Sequence, residues 1–252
     1  MTHVVPPPAG LRGVLLDVDD TLLGTREAMH LAATRAARQL WPDADPDRLE
    51  RAGHRFRDDP GGHFRAFTRG EHDFATMRAL RVRDLGRWLG RAASPEDLAR
   101  WDELYEDAFT TALRAFDDVV NTLQECHRRG LRVALLTNSS GDYTRAKLTR
   151  AGLADVVERL TAGTVTKDTL GIGKPAPEVF HHGCGLLGLD PGQVVYVGDE
   201  LDVDTCAALG AGLGAAWLRR PGYERDPDEV SHAATHGLVA AETLREVLDA
   251  LG

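Results

Sequence analysis

The sequence predicts an α/β fold, a parallel sheet covered on both faces by helices and interrupted by an all-helical insert. Three observations carry this. Short, continuous apolar runs stand at Gly13-Val14-Leu15-Leu16, Val133-Ala134-Leu135-Leu136 and Val194-Val195-Tyr196-Val197, the pattern of strands buried on both faces. Stretches with helical periodicity and recognisable ends separate the later runs. Between the first two runs, residues 25–117 hold no convincing buried-strand run and are dense in Arg, Asp, Glu and Ala, with bulky apolar residues at helical spacing.

The elements follow in order. Gly13 to Leu16 lies between Arg12 and a run of acids, which bounds a first strand. Within the insert, Gly61-Gly62 and Gly70 mark breaks, Gly90 follows Trp88-Leu89, and Ser94-Pro95-Glu96-Asp97 opens a helix with serine as N-cap and proline at the first helical position. A helix from Val119 to Arg129 ends at Gly130, and a strand covers Arg132 to Leu136. A helix from Tyr143 to Arg150 ends near Gly152, one from Pro177 to Leu187 near Gly188, and one from Thr205 to Leu209 near Gly210. Val156-Val157, Ala215-Ala216-Trp217-Leu218 and Gly237-Leu238-Val239 are shorter strand candidates. Alternating strands and helices imply the parallel sheet. The expected organisation is a catalytic core of residues 1–24 and 118–252 around a helical domain of residues 25–117.

Bulk properties narrow the function classes. The chain has 252 residues and 42% hydrophobic content, enough for a core of one large or two small domains. A formal net charge of −9 argues against nucleic-acid binding through a general basic surface. Cys126, Cys184 and Cys206 are odd in number and widely spaced, with no CxxC, so a disulfide framework is not expected and all three read as small core residues. The first ten residues are proline-rich without the apolar run of a signal peptide. No stretch approaches the ~20 apolar residues that span a bilayer. A cytoplasmic protein with no nucleic-acid or membrane partner is the expectation, and oligomeric state is open.

The chemistry lies where the strands end. Ligands of an open parallel sheet bind at the strands' carboxyl ends. The first strand runs into Asp17-Val18-Asp19, the second into Thr137-Asn138-Ser139-Ser140, and a later one into Gly198-Asp199-Glu200, with Asp202 and Asp204 behind. If these strands are neighbours, several carboxylates meet at one edge and repel unless a cation compensates them. All-oxygen ligands suit Mg²⁺. Lys174, in Gly173-Lys174-Pro175, adds a positive charge on a loop. Each piece alone is commonly a turn or a helix cap; their joint order is not.

Together these motifs resemble those of the haloacid dehalogenase-like hydrolase superfamily. Asp17, Asp19 and Thr21 match its DxDx[TV] motif, with Asp20 where many members have Gly. Thr137 matches the hydroxyl residue closing a second strand, Lys174 the motif-three lysine, and Gly198, Asp199 and Asp204 the GDxxxxD motif. The long insert resembles the helical C1 cap, and the stretch from Gly163 to Gly171 is longer than the family's usual approach to the lysine. The resemblance implies a Rossmann-like core and a Mg²⁺-dependent phosphatase. Asp17 would be the nucleophile, forming an aspartyl-phosphate, and Asp19 the general acid and base. Thr137, Asn138 and Lys174 would hold the phosphate, and Asp17, the Asp19 carbonyl, Asp199 and Asp204 the metal, with Glu200 or Asp202 able to share the role of Asp204. The partner would be a small phosphorylated metabolite. A sugar phosphomutase resembling β-phosphoglucomutase, a 2-haloacid dehalogenase and a catalytically idle binding module are the competing readings. Asp19 argues against dehalogenation, because a halide leaves without a proton.

In capped members the cap sets selectivity. Here it carries Arg26, Arg35, Arg55, Arg57, Arg65 and Arg69, expected mostly to pair with neighbouring acids. His30, His54, His63 and His72 lack metal-site spacing, and Phe64, Phe67 and Phe74 read as cap core.

Overall fold

The computed structural model describes residues 4–223, 227–238 and 240–252. Five strands, β1 (Gly13–Leu16), β2 (Arg132–Leu136), β3 (Thr164–Val165), β4 (Val194–Gly198) and β5 (Gly214–Trp217), form one sheet in the order β3-β2-β1-β4-β5. Every pairing is parallel. β1 is central and wholly buried. Leu16 lies level with Leu135 on one side and Val197 on the other. The chain builds outward through β2 and β3, then crosses to β4 on the far side of β1. This reversal is the switch point at which open α/β sheets bind ligands.

Five helices lie between β1 and the helix that precedes β2: α1 (Thr25–Leu40), α2 (Pro46–Asp58), α3 (His63–Thr68), α4 (Phe74–Trp88) and α5 (Pro95–Ala112). The rest are α6 (Val119–Arg128), α7 (Gly141–Arg150), α8 (Ala154–Leu160), α9 (Lys167–Leu170), α10 (Pro177–Leu187), α11 (Ala207–Gly210), α12 (Pro227–Thr235) and α13 (Leu244–Ala250). A π-helical turn, Leu201–Cys206, leads into α11. The chain's contacts divide it into two units, Met1–Gly24 with Ala115–Gly252, and Thr25–Arg114.

In the sheet-bearing unit, alternate strand residues Leu15, Ala134, Leu136, Val194 and Tyr196 share one core with Val179, Phe180, Cys184 and Leu187 of α10, as the two-residue strand period requires. Cys126 and Cys184 are buried thiols, Cys206 is half-buried, and all three are free.

Two strand expectations are corrected. Val156-Val157 lies in α8, not in a strand; both valines are buried while Asp155, Glu158 and Arg159 face outward. A strand covered on both faces would bury some of those charges, so helix wins over the β-propensity of valine. The strand in this region is instead β3, at the start of the stretch before Lys174. Gly237-Leu238 forms no strand; Leu238 packs with Leu201, Trp217 and Ala233, and Val239 lies outside the described residues. The helix read from Thr205 begins as the π-helical turn at Leu201.

The helical unit has its own core, in which Trp101 packs against Trp41 and Phe56 with ring centroids 6.0 and 5.2 Å apart and Tyr105 stacks on Phe109. Arg81 is buried there, its guanidinium 4.2 Å from the Phe56 ring centroid and donating to the Phe56 carbonyl at 2.5 Å. Its surface arginines meet acids: Arg35 with Asp107, Arg57 with Asp58, Arg69 with Glu71. His63 meets Asp84 at 2.6 Å and His30 packs on His54. Phe64, Phe67 and Phe74 cluster together, but Phe64 and Phe74 remain about two-fifths exposed, so they are a surface patch rather than cap core. Among the described residues, no helix is long and apolar enough to cross a membrane.

The start of α5 is fixed by a reciprocal cap. Ser94 Oγ accepts from the Asp97 amide at 3.1 Å, and Asp97 Oδ2 accepts from the Ser94 amide at 2.9 Å. Ser94→Ala is expected to lower stability by about 1 kcal/mol, read as a lower urea midpoint with unchanged slope by circular dichroism.

Candidate active site

The site grows from the ends of β1, β2 and β4. Asp17 directly follows β1, and its amide donates to the Val197 carbonyl at 2.9 Å, so the pairing with β4 runs on into the site. Thr137 follows β2 and Asp199 follows β4; both are buried. Asp204 comes from the π-helical turn and is almost wholly buried. One carboxylate oxygen from each of Asp17, Asp199 and Asp204 lies within 4.8 Å of the others.

Lys174 reaches into this group. Its Nζ lies 2.6 Å from Asp17 Oδ1, 2.6 Å from Asp204 Oδ1 and 2.8 Å from the Tyr196 hydroxyl. The Tyr196 hydroxyl donates to Asp204 Oδ1 at 3.0 Å. Three buried carboxylates thus surround one buried ammonium, and with all three ionised they would exceed it by two negative charges. The Asp17 carboxyl is pushed up to about 8, chiefly by burial and further by Asp204 and Asp19, against the opposing pull of Lys174. Burial alone would lower the Lys174 ammonium, but Asp17 and Asp204 hold it well above its ordinary value. A small divalent cation with oxygen ligands fits the excess charge and the donor set.

Asp19 is held apart from that group. Lys147 Nζ, on α7, donates to both its carboxylate oxygens at 2.5 and 2.6 Å. The Asp19 side chain keeps about a third of its surface exposed while the Lys147 side chain is buried. Asp20 adopts φ +58°, a conformation that glycine favours and aspartate tolerates. Its carboxylate accepts from the Tyr223 hydroxyl at 2.6 Å.

The lysine loop is clipped to the second strand. Asn138 Oδ1 accepts from the Lys174 amide at 2.6 Å, and Asn138 Nδ2 donates to the Lys174 carbonyl at 2.9 Å. A Cβ on Gly173 would lie 2.4 Å from Asn138 Oδ1, so only glycine lets the loop approach. The longer stretch before Lys174 is also structural. Asp168, on α9, accepts from the Gly141 amide at 2.7 Å, and the Lys167 amide donates to the Ser139 carbonyl, bracing the loop after Thr137. The Thr137 hydroxyl accepts from the Ser139 amide at 3.2 Å.

A family model for the haloacid dehalogenase-like hydrolases matches residues 11–212, a span that includes Asp17, Asp19, Thr137, Lys174, Asp199 and Asp204. The chain belongs to the haloacid dehalogenase-like hydrolases. Among the proteins this hydrolase is similar to is the glyceraldehyde 3-phosphate phosphatase of Methanopyrus kandleri, 27% identical over 229 residues, covering 87% of this chain and 91% of that one. The ribulose-1,5-bisphosphate 5-phosphatase of Halopiger xanaduensis is 29% identical over 248 residues, covering 94% and 97%. A magnesium-bound structure of the hydrolase YfnB from Bacillus subtilis shares the fold, with a TM-score of 0.73, 19% identity and coverage of 96% and 99%.

Sequence reading of the hydrolase missed Lys147, Tyr196, Arg220 and the side-chain role of Asn138. Arg220 donates to the Thr21 carbonyl at 2.6 Å and to Asp118 at 2.8 Å, tying the segment that leaves β1 to the one that enters α6. Tyr196 carried a signal, a polar-tipped ring inside an apolar strand. Lys147 carried a weaker one, the sole lysine of a helix following the Thr137 loop.

Gly198 controls the approach of Asp204. A Cβ there would stand 2.4 Å from Asp204 Oδ2. Gly198→Ala is therefore expected to push the carboxylate aside and weaken divalent-cation affinity by tenfold or more, read by calorimetric titration with Mg²⁺; unchanged affinity refutes the packing argument.

Proposed function

We propose that this hydrolase is a Mg²⁺-dependent phosphatase acting on small phosphomonoesters through an aspartyl-phosphate on Asp17. The sheet-bearing unit is the catalytic core and the helical unit its cap. The observation that carries the reading is the convergence of three buried carboxylates and Lys174 at the switch point, with a fourth carboxylate, Asp19, held separately by Lys147.

Asp17 attacks phosphorus, and the bond to the ester oxygen breaks as Asp19 gives that oxygen a proton. A water molecule then attacks the aspartyl-phosphate. Asp19 takes the water's proton, the bond from phosphorus to Asp17 breaks, and inorganic phosphate leaves. Dividing one displacement into two is the gain of a covalent nucleophile. Lys174 offsets charge on Asp17 and on the phosphoryl oxygens. The Thr137 hydroxyl and the Asn138 amide donate to those oxygens, while the Asn138 side chain keeps Lys174 in place. Asp17, the Asp19 carbonyl, Asp199 and Asp204 would hold Mg²⁺, which supplies charge stabilisation to the phosphoryl group. The magnesium in YfnB supports that choice of metal. Two relatives that act on phosphorylated sugars support short sugar phosphates as the substrate class.

Asp17→Asn is expected to abolish phosphate release from glyceraldehyde 3-phosphate, ribulose 1,5-bisphosphate and a wider ester panel, with the fold intact by circular dichroism. EDTA should abolish wild-type turnover and Mg²⁺ restore it. Appreciable turnover by the variant, or full activity in chelator, sinks the mechanism.

Lys147 acts as a positioning residue for Asp19. A positioned acid-base group contributes roughly 10²–10⁴-fold, so Lys147→Met, which keeps the buried stem, should lower kcat about tenfold or more with KM nearly unchanged. A kcat equal to wild type removes this role.

A further inference from the structure

A second group of metal-ligating side chains lies outside the carboxylate site. Cys206 ends the π-helical turn that carries Asp204. His232 lies in the last turn of α12, and His236 follows the end of that helix. Residues four apart lie on one helix face, and the two imidazole centroids are 5.1 Å apart. One donor atom from each of Cys206, His232 and His236 lies within 4.8 Å of the others.

We propose that Cys206, His232 and His236 form a binding site for a borderline-soft divalent cation, zinc foremost, separate from the carboxylate site. The donor set argues for the metal: one sulfur and two imidazole nitrogens suit zinc, whereas Mg²⁺ takes oxygens. Zinc bonds of about 2.0–2.3 Å put tetrahedral donors about 3.3–3.7 Å apart, inside the observed limit. Three protein ligands leave a fourth position for water.

The scaffold is packed. Leu201, Trp217, Ala233 and Leu238 form a small buried cluster, and Cys206 packs against it, so the turn and α12 are already joined. Asp204 is buried and Cys206, two residues on, is partly exposed, so oxygen and sulfur donors of one turn serve different neighbourhoods. The family match ends at residue 212, before both histidines. Cys206 lies inside that match and the two histidines lie beyond it, so the site joins the matched core to the segment that follows it. Occupancy would fasten α12 to the turn that carries Asp204.

The test is a Co²⁺ titration of the full chain in excess Mg²⁺. Wild-type protein should develop a thiolate-to-cobalt charge-transfer band and tetrahedral visible bands, both displaced by one equivalent of Zn²⁺. Cys206→Ser should abolish the charge-transfer band. A His232→Ala/His236→Ala double variant, which keeps Cys206 and its packing, should abolish the tetrahedral bands. Zn²⁺ should raise the melting temperature of wild type and not of either variant, as ligand linkage requires. Cys126 and Cys184 remain in every variant and report any band of other origin. No charge-transfer band in wild type, or the same band in Cys206→Ser, overturns the proposal. Phosphatase activity is not the readout, so these outcomes are independent of the catalytic assignment.

Discussion

The buried ammonium of Lys174, between the carboxylates of Asp17 and Asp204, is the contact on which the site depends. Taking such charges out of water costs several kcal/mol per ion, and removing one partner of a buried pair costs roughly 3–5 kcal/mol. The surroundings reduce that cost. Tyr196 bonds both Lys174 and Asp204, Asn138 fixes the lysine's backbone, and Glu200 gives its amide to Asp204 at 3.1 Å. The charges still do not balance. Asp17 is pushed up to about 8 by burial and by its acidic neighbours despite Lys174. A site built with more carboxylate than ammonium is stable in its ionised form when a cation completes it. In the proposed mechanism, proximity to a cation and availability as a nucleophile would therefore be one requirement for Asp17, because both demand the ionised form.

Sheet topology makes the convergence possible. In a parallel sheet every strand delivers its C-terminal residue to the same edge. An antiparallel arrangement would send neighbouring acids to opposite edges. With β1 between β2 and β4, Asp17 has Thr137 on one side and Asp199 on the other. Gly173 and Gly198 then allow contacts that any Cβ would block. The elements are ordinary; their order and two missing methyl groups bring the charges together.

This explains what was legible in the sequence. β1, β2, β4 and β5 were legible because they are apolar runs, and buried parallel strands have few other ways to look. Asp17, Asp19, Thr137, Lys174, Asp199 and Asp204 were legible as strand-end or loop residues in a fixed order. β3 was not, because its two residues, Thr164 and Val165, are too few for periodicity. Val156-Val157 misled because two valines have the same local appearance in a strand and on one buried helix face. The aromatic trio Phe64, Phe67 and Phe74 misled because apolar character does not reveal whether a cluster is covered. Lys147 and Arg220 escaped for another reason. Their partners, Asp19 and Thr21, are 128 and 199 residues away in the chain, and no local pattern encodes a contact of that range.

The distant lysines also give the two acids of the first motif different environments. Asp17 and Asp19 are the same residue type, two positions apart, yet one is buried and the other partly exposed. A nucleophile must stay ionised and face phosphorus; an acid-base group must exchange protons with the leaving oxygen and with water. Burial beside Lys174 and two further carboxylates fits the proposed first task, because a metal ion there would keep Asp17 charged. A third of its surface in contact with solvent fits the second task proposed for Asp19, which would have to be reached by a proton and by water. Lys147 binds both Asp19 oxygens and so orients a side chain that burial does not hold. The division of labour proposed for the DxD motif therefore resides outside the motif, in two lysines far along the chain, one meeting each acid.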